Sequence, residues 1–156
     1  MWQGAQTSAL VGSVGRGSNL WPVSGSAAEI HAQLTDWHQA TTAEPLHVLT
    51  SGSTGQPKRV VLSRDAMRAA VAATHERLGG PGQWVLNLPP TNVAGLMVLF
   101  RSVVSGIPPA DRIGAAGGRA YLSLVPTQPH RMLDDSASLQ ALRGFAAVLI
   151  GGAAFP

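Results

Sequence analysis

The chain has 156 residues, of which 45% are hydrophobic and 12% charged, so its composition is that of one globular domain and excludes a disordered segment. Its net charge is only +3, and its basic residues are dispersed without interleaved aromatics, which argues against a nucleic-acid-binding surface. The chain has no cysteine, which excludes disulfides, thiolate nucleophiles and cysteine metal sites.

In the first part of the chain, a lead-in, a helix and two strands are predicted. Residues 1–26 are rich in Gly and Ser and predict a loose lead-in. Apolar residues at helical spacing predict a helix over 29–38. Short apolar and β-branched runs predict strands over 46–49 and 60–62, joined by a loop.

Further along, helices and strands alternate. Ser63 is a good N-cap for a helix that ends at Leu78, before two glycines and a proline. A second helix is predicted over 93–105, closed by Gly106. The remaining predictions are strands over 84–88, 121–124 and 145–150, a helix over 127–133 and a helical piece over 139–142. The last strand is continuously apolar, which is typical of a strand covered on both faces, and the alternation predicts an α/β fold with a sheet flanked by helices.

The loop between the first two strands has the composition of a phosphate cradle. It reads Thr50-Ser51-Gly52-Ser53-Thr54-Gly55-Gln56-Pro57-Lys58 and contains the sole lysine of the chain. Glycines let backbone N–H groups turn toward an anion, and the hydroxyls and ammonium add hydrogen bonds. The spacing fails the Walker template, because Arg59 follows the lysine and a strand follows the loop. An ordinary hairpin turn is the alternative, but this loop has more hydroxyls than a turn requires, so we expect a flap over a triphosphate.

Three later segments follow this loop in a fixed order. They are Asn87 to Ser102, Ser123 to Leu133, and Gly151-Gly152-Ala153-Ala154-Phe155-Pro156. Together with the loop, they resemble the AMP-forming adenylate ligases, a superfamily that includes the acyl-CoA synthetases. The middle segment is most similar to the o-succinylbenzoate–CoA ligases of menaquinone synthesis. The resemblance runs from about Leu46 to the last residue, and it implies the N-terminal subdomain of the adenylate-forming ligase fold.

The resemblance implies a two-step reaction. A substrate carboxylate attacks the α-phosphate of ATP, which releases pyrophosphate and forms an acyl-adenylate, and the thiol of coenzyme A then displaces AMP. The residues implied to hold the β- and γ-phosphates are Thr50, Ser51, Gly52, Ser53, Thr54, Gly55 and Lys58. The adenine side is implied to be Gly151, Gly152 and Ala153. Mg²⁺ is implied by the chemistry, but the sequence identifies no metal ligand, because the five histidines show no ligand spacing; no catalytic residue is assigned.

Three residues are candidates for the acid pocket, and each has a structural alternative. Asn92 stands where many relatives carry a histidine or an aromatic residue, and it could instead cap the following helix. Ser123 and Thr127 could line the pocket, although Thr127 could be a helix cap after Pro126. Arg101 could meet an anionic substrate, and a buried structural ion pair is the alternative that we favour.

The chain ends before several motifs of this superfamily, so we interpret residues 27–156 as a partial AMP-binding domain. It lacks the downstream half and the C-terminal domain, and we expect turnover to need that missing portion or a partner chain. A truncated, non-catalytic nucleotide-binding module is the alternative, and another acyl-CoA synthetase with a different acid is a third possibility. No secretory signal or membrane-spanning run is predicted, so we expect a cytoplasmic enzyme.

Overall fold

The computed structural model describes residues 21–51 and 57–152, which form two sheets and five helices. The strands are β1 (Trp21–Pro22), β2 (Leu46–Ser51), β3 (Pro57–Leu62), β4 (Gln83–Val85), β5 (Ala120–Leu124) and β6 (Ala147–Ile150). The helices are α1 (Ala27–Gln39), α2 (Arg64–Leu78), α3 (Val93–Ser105), α4 (Thr127–Leu133) and α5 (Ser136–Leu142). This mixed helix and sheet content confirms the α/β prediction.

The first sheet has the order β1-β2-β3 and is built around an antiparallel hairpin. In its register Leu46 pairs with Leu62 and Thr50 with Lys58. Side chains alternate between the two faces of a strand, so Leu46, Val48 and Thr50 share one face. Leu46 and Val48 are buried in the core, whereas Leu49 on the opposite face is 64% exposed. Thr50 therefore lies on the same face of the hairpin as the buried Leu46 and Val48, at the end of β2 near the loop.

The second sheet is entirely parallel and has the order β4-β5-β6. Helix α3 connects β4 to β5, and helices α4 and α5 connect β5 to β6. In this arrangement all three strands end at the same edge of the sheet. Chain segments that leave those ends can therefore meet above one edge.

Helix α3 is buried between the two halves of the fold. Its Leu96, Leu99 and Phe100 pack with α1 and the first sheet, and the centres of the Phe100 and Trp37 rings lie 5.6 Å apart in an edge-to-face arrangement. Its Val98 packs instead with Trp84 and Tyr121 of the second sheet. A helix that is apolar on most of its surface is expected to occupy such a central place.

Local capping signals explain the ends of the helices. The side chain of Ser63 accepts a hydrogen bond from the backbone N–H of Ala66, and α2 ends at Gly79 with a left-handed φ of 76°. Helix α3 has the predicted bounds and ends at Gly106, with φ 68°. Helix α1 begins with a capping box of Ser26 and Glu29 that the sequence analysis did not identify.

Several sequence predictions need correction. Strand β1 and the cap of α1 lie within the segment predicted to be a loose lead-in, of which residues 1–20 lie outside the described part. Strand β4 stops at Val85, and α5 begins earlier than the predicted helical piece. Strand β6 is not covered on both faces in the described residues: none of its four residues is buried, and its Ile150 is 45% exposed. It also pairs with β5 alone, so its other edge has no strand partner there.

Candidate functional site

A cleft of about 810 Å³ opens where the hairpin, helix α3 and the ends of the parallel strands meet. Its wall combines backbone and apolar groups with a few polar side chains, as is usual for small-molecule sites. The lining residues are Thr50, Leu88, Asn92, Val93, Ala94, Met97, Arg101, Ser123, Leu124, Val125, Leu149, Ile150, Gly151 and Gly152.

The topology brings these residues together. Parallel strands place their carboxyl ends at one edge, and crevices outside those ends are the usual ligand sites of open α/β sheets. Ser123 and Leu124 end β5, and Leu149 and Ile150 end β6. On α3 the lining positions are about one turn apart, so they form a single face toward the cleft.

The predicted phosphate loop reaches this cleft through Thr50. The Thr50 hydroxyl donates a hydrogen bond of 3.2 Å to the backbone carbonyl of Lys58. Directly opposed residues of an antiparallel pair project from the same face, so Lys58 leaves the hairpin on the side of Thr50. The Lys58 side chain is exposed. Gly52, Ser53, Thr54 and Gly55 lie outside the described residues, and of Ser51 only its place at the end of β2 is described.

Two of the three predicted acid-pocket residues line the cleft. Asn92 and Ser123 do so, whereas Thr127 does not. Asn92 occupies the N-cap position of α3, but its side chain makes no capping hydrogen bond. Thr127 is exposed in the first turn of α4, and the N-cap there is Pro126, so the capping alternative for Thr127 is wrong as well.

The predicted adenine side also lies at the cleft. Gly151 and Gly152 follow β6 and line the wall, and the Gly151 N–H donates to the carbonyl of Leu124 at 3.1 Å. Gly152 has a φ of 98°, a conformation that favours glycine. Ala153 lies outside the described residues.

Arg101 is the one charged side chain among the lining residues. Its guanidinium carbon lies 4.4 Å from the centre of the Trp84 ring, a cation–π contact. Burial lowers the pKa of Arg101 to about 10, which still leaves the group charged at neutral pH. Its buried Nε atom has no hydrogen-bond partner in the described part of the chain, and no carboxylate there forms an ion pair with it. The structural ion pair favoured from the sequence is therefore wrong within those residues.

His75 of α2 shares this environment with Arg101. Its Nε2 atom is buried and has no hydrogen-bond partner among the residues described. Burial lowers the pKa of His75, and the positive charge of Arg101 lowers it further. His75 is therefore neutral at pH 7, and Arg101 is the cation of this pair.

Residues 21–51 and 57–152 contain no group of three or more His, Cys, Asp or Glu side chains that could hold a metal ion. None of the helices described there is long and apolar enough to cross a membrane.

Comparisons with known proteins identify similar sequences. The chain is 44% identical over 126 residues to a probable 2-succinylbenzoate–CoA ligase of Mycobacterium tuberculosis (strain CDC 1551 / Oshkosh), a match that covers 71% of this chain and 33% of the relative. It is 33% identical over 153 residues to the 2-succinylbenzoate–CoA ligase of Escherichia coli (strain K12), covering 90% of this chain and 32% of the relative. No family model matches the chain.

A solved structure has the same fold. It is that of an acyl-CoA synthetase (AMP-forming)/AMP-acid ligase II-like protein from Dyadobacter fermentans DSM 18053. The TM-score is 0.60 at 28% identity, and the match covers 83% of this chain and 39% of that protein. The chain belongs to the AMP-forming adenylate ligase superfamily.

The described fold is therefore a part of an AMP-forming ligase fold. The chain spans about a third of the length of the curated relatives reported above. The AMP-forming acid–CoA ligases of this superfamily are enzymes that use ATP and coenzyme A.

Part of the apolar wall of the cleft was not predicted from the sequence. Val125 and Leu149 line it, and neither was predicted to do so. Two signals were available: the helical spacing from Val93 to Met97 and Arg101, and the rule that strand ends in a parallel sheet form the crevice. To use these signals, one must know which strands pair and which face of α3 lies against them. Both depend on contacts between residues that are distant in sequence.

Proposed function

We propose that the full-length ligase carrying this sequence activates a carboxylic acid with ATP to an acyl-adenylate and transfers the acyl group to coenzyme A. We propose 2-succinylbenzoate as the acid, which places the reaction in menaquinone synthesis in the cytoplasm. The names of the relatives in Mycobacterium tuberculosis and Escherichia coli support this substrate.

The observation that carries the proposal is that one cleft joins three predicted parts of the site. Thr50 of the phosphate loop, Asn92 beside α3, and Gly151-Gly152 after β6 all line it. These residues are far apart in sequence, and a cleft of about 810 Å³ lies between them. A nucleotide and a small acid can both be held in such a volume, which lies within the usual range for ligand sites.

The chain's own groups would bind and orient the reactants. Thr50 and Lys58 would hold the outer phosphates, and Gly151 and Gly152 would lie along the adenine. Holding an acid carboxylate next to the α-phosphate brings two anions together, so the site must fix their positions and stabilise the charge that develops between them. Asn92, whose amide makes no capping bond, could donate to the reacting carboxylate.

Mg²⁺ would accompany ATP, coordinated by the phosphate oxygens. The described residues offer no cluster of three His, Cys, Asp or Glu side chains for a metal. We therefore assign no residue of this chain as a Mg²⁺ ligand. When bound, the ion would neutralise part of the phosphate charge during attack.

Arg101 would explain why the ligase prefers an acid with two carboxylates. Activation consumes one carboxylate of 2-succinylbenzoate and leaves the other ionised in the cleft. A half-buried cation without a carboxylate partner among the described residues suits that second anion, because a charge-assisted bond would satisfy both groups.

The proposed function is tested by pyrophosphate release from the full-length protein over a panel of acids. The panel contains 2-succinylbenzoate, simple benzoates and fatty acids of several lengths. We expect release with 2-succinylbenzoate to exceed that with every other acid. Release with fatty acids and none with 2-succinylbenzoate would disprove the proposed substrate and leave ligase chemistry intact.

Arg101→Met should remove the preference for the dicarboxylate. The preference is the ratio of kcat/KM for 2-succinylbenzoate to kcat/KM for the analogue whose second carboxylate is replaced by hydrogen. Loss of a hydrogen bond between charged groups costs about 2 kcal/mol, so we expect the ratio to fall roughly thirtyfold. Arg112, which is exposed and does not line the cleft, provides the matched control. An equal fall in kcat/KM for both acids, or an effect of Arg112→Met on the ratio, would contradict this role.

A further inference from the structure

The conformation of Arg101 depends on what holds its side chain at the cleft. An arginine side chain has several rotatable bonds, and fixing it costs conformational entropy. Among the residues described, no carboxylate forms an ion pair with its guanidinium, and its Nε atom has no hydrogen-bond partner. The described contact that fixes the guanidinium is the Trp84 ring, 4.4 Å below it.

The Trp84 ring is itself rigidly held. Trp84 lies on β4, is completely buried, and packs against Tyr121 of β5 with 5.0 Å between ring centres. The Tyr121 hydroxyl donates to the carbonyls of Leu78 and Gly80, at 3.2 and 2.9 Å. Trp84 therefore stands between the rigid second sheet and a cation that lines the cleft.

We propose that Trp84 is a positioning residue that selects dicarboxylate acids by holding the Arg101 guanidinium at the cleft wall. This inference rests on the proposed function, since it concerns the acid that the ligase activates. Trp84 does not line the cleft and touches no substrate, so its effect would pass through Arg101 alone. A cation held over an aromatic face keeps its edge N–H groups free, and those groups can donate to a carboxylate.

His75 of α2 is also near enough to the Arg101 guanidinium to interact with its charge. The stripe of α2 that faces the core includes Met67 and Val71, and His75 follows one turn later. A neutral imidazole near the guanidinium adds no competing charge, and it offers no carboxylate that could draw Arg101 away from the cleft. The aromatic face is thus the group that fixes the cation.

The test compares Trp84→Phe and Trp84→Leu in the full-length ligase, using the same ratio of kcat/KM for the dicarboxylate and for its monocarboxylate analogue. Tryptophan is the best aromatic partner of a cation and phenylalanine a weaker one. We expect the ratio to fall about threefold in Trp84→Phe and about tenfold in Trp84→Leu, with kcat/KM for the monocarboxylate nearly unchanged. Should the Leu variant fail to fold, the fall in the Phe variant decides the question.

Trp37→Leu is the matched control. Trp37 is another buried tryptophan, but it packs against Phe100 and donates to the carbonyl of Glu44, and in the described residues the cation–π contact of Arg101 is made with Trp84 instead. Its replacement should lower the melting temperature and leave the ratio at the wild-type value. In an Arg101→Met background, Trp84→Leu should have no further effect on the ratio, because the two residues act through one contact.

Three outcomes separate this inference from the proposed function. If the wild-type protein activates neither acid, the proposed function fails. If Arg101→Met abolishes the preference but both Trp84 variants keep it, the positioning role alone is overturned. If the Trp84 variants lower kcat/KM equally for both acids, Trp84 is only a structural residue and the inference is wrong.

Discussion

Lys58→Ala in the full-length ligase is expected to slow formation of the acyl-adenylate by roughly thirty- to a thousandfold. Lys58 leaves the hairpin on the side of Thr50, which lines the cleft, and we propose that its ammonium contacts an outer phosphate. Loss of one charge-assisted contact that tightens in the transition state costs on the order of 2–4 kcal/mol. Single-turnover measurement of pyrophosphate release determines this rate.

The second half-reaction is the internal control for Lys58. Pyrophosphate has left by the time coenzyme A attacks, so thioester formation from a preformed acyl-adenylate should be nearly unchanged. Lys58 is exposed, so the melting temperature should also stay the same. Lys58→Arg should restore only part of the rate, because the guanidinium is bulkier and its donors point differently. An equal loss in both half-reactions, or a sharp drop in melting temperature, would identify Lys58 as structural.

Gly95→Ala is expected to destabilise the protein by about 3 kcal/mol. A methyl carbon at this position would stand 2.8 Å from the carbonyl oxygen of Leu88, and closer still to the carbonyl of Pro89. Both neighbours are backbone, so the turn between β4 and α3 would have to move. Alanine is the better helix former by up to about 1 kcal/mol, which is too small to offset that strain.

The melting temperature and the free energy of unfolding in urea measure the effect of Gly95→Ala. Gly117→Ala is the matched control, because a methyl group there meets nothing within 4 Å and φ is not in the left-handed region. Leu88 and Ala94 line the cleft, so the Gly95 variant should also bind the acid more weakly. Equal stability of the two alanine variants would show that the close approach of α3 to the Pro89 turn is absent.

Local signals made the helices α2 and α3 predictable. Ser63 and the glycines at 79 and 106 act on the backbone within one or two turns, so they can be identified from the sequence alone. The division into two three-stranded sheets could not be predicted in the same way. It depends on which strands pair, and that choice is made by contacts between residues distant in the chain.

The edge position of β6 shows the same limit. Its apolar sequence is typical of a strand inside a sheet, yet its other edge has no partner within the described residues. The apolar composition of β6 indicates that the strand is suited to a buried position. It does not indicate whether the residues that would bury it belong to this part of the chain.

The candidate site was predictable where a residue belongs to a short motif. Thr50, Gly151 and Gly152 line one cleft, as the resemblance implied for parts of one site. Thr127 does not line the cleft: it lies beyond the end of β5, in the first turn of α4. The contact between Trp84 and Arg101 joins a strand to a helix and has no signature in the sequence.

If this cleft belongs to an enzyme that joins an acid to AMP, the acyl-adenylate intermediate should be detectable on the full-length protein. The full-length protein is mixed with ATP, Mg²⁺ and 2-succinylbenzoate without coenzyme A, and bound products are identified by mass spectrometry. We predict an acyl-adenylate together with one equivalent of pyrophosphate, followed by AMP and a thioester when coenzyme A is added. Formation of ADP and phosphate, or nucleotide binding without any adenylate from 2-succinylbenzoate or the other acids of the panel, would contradict the account.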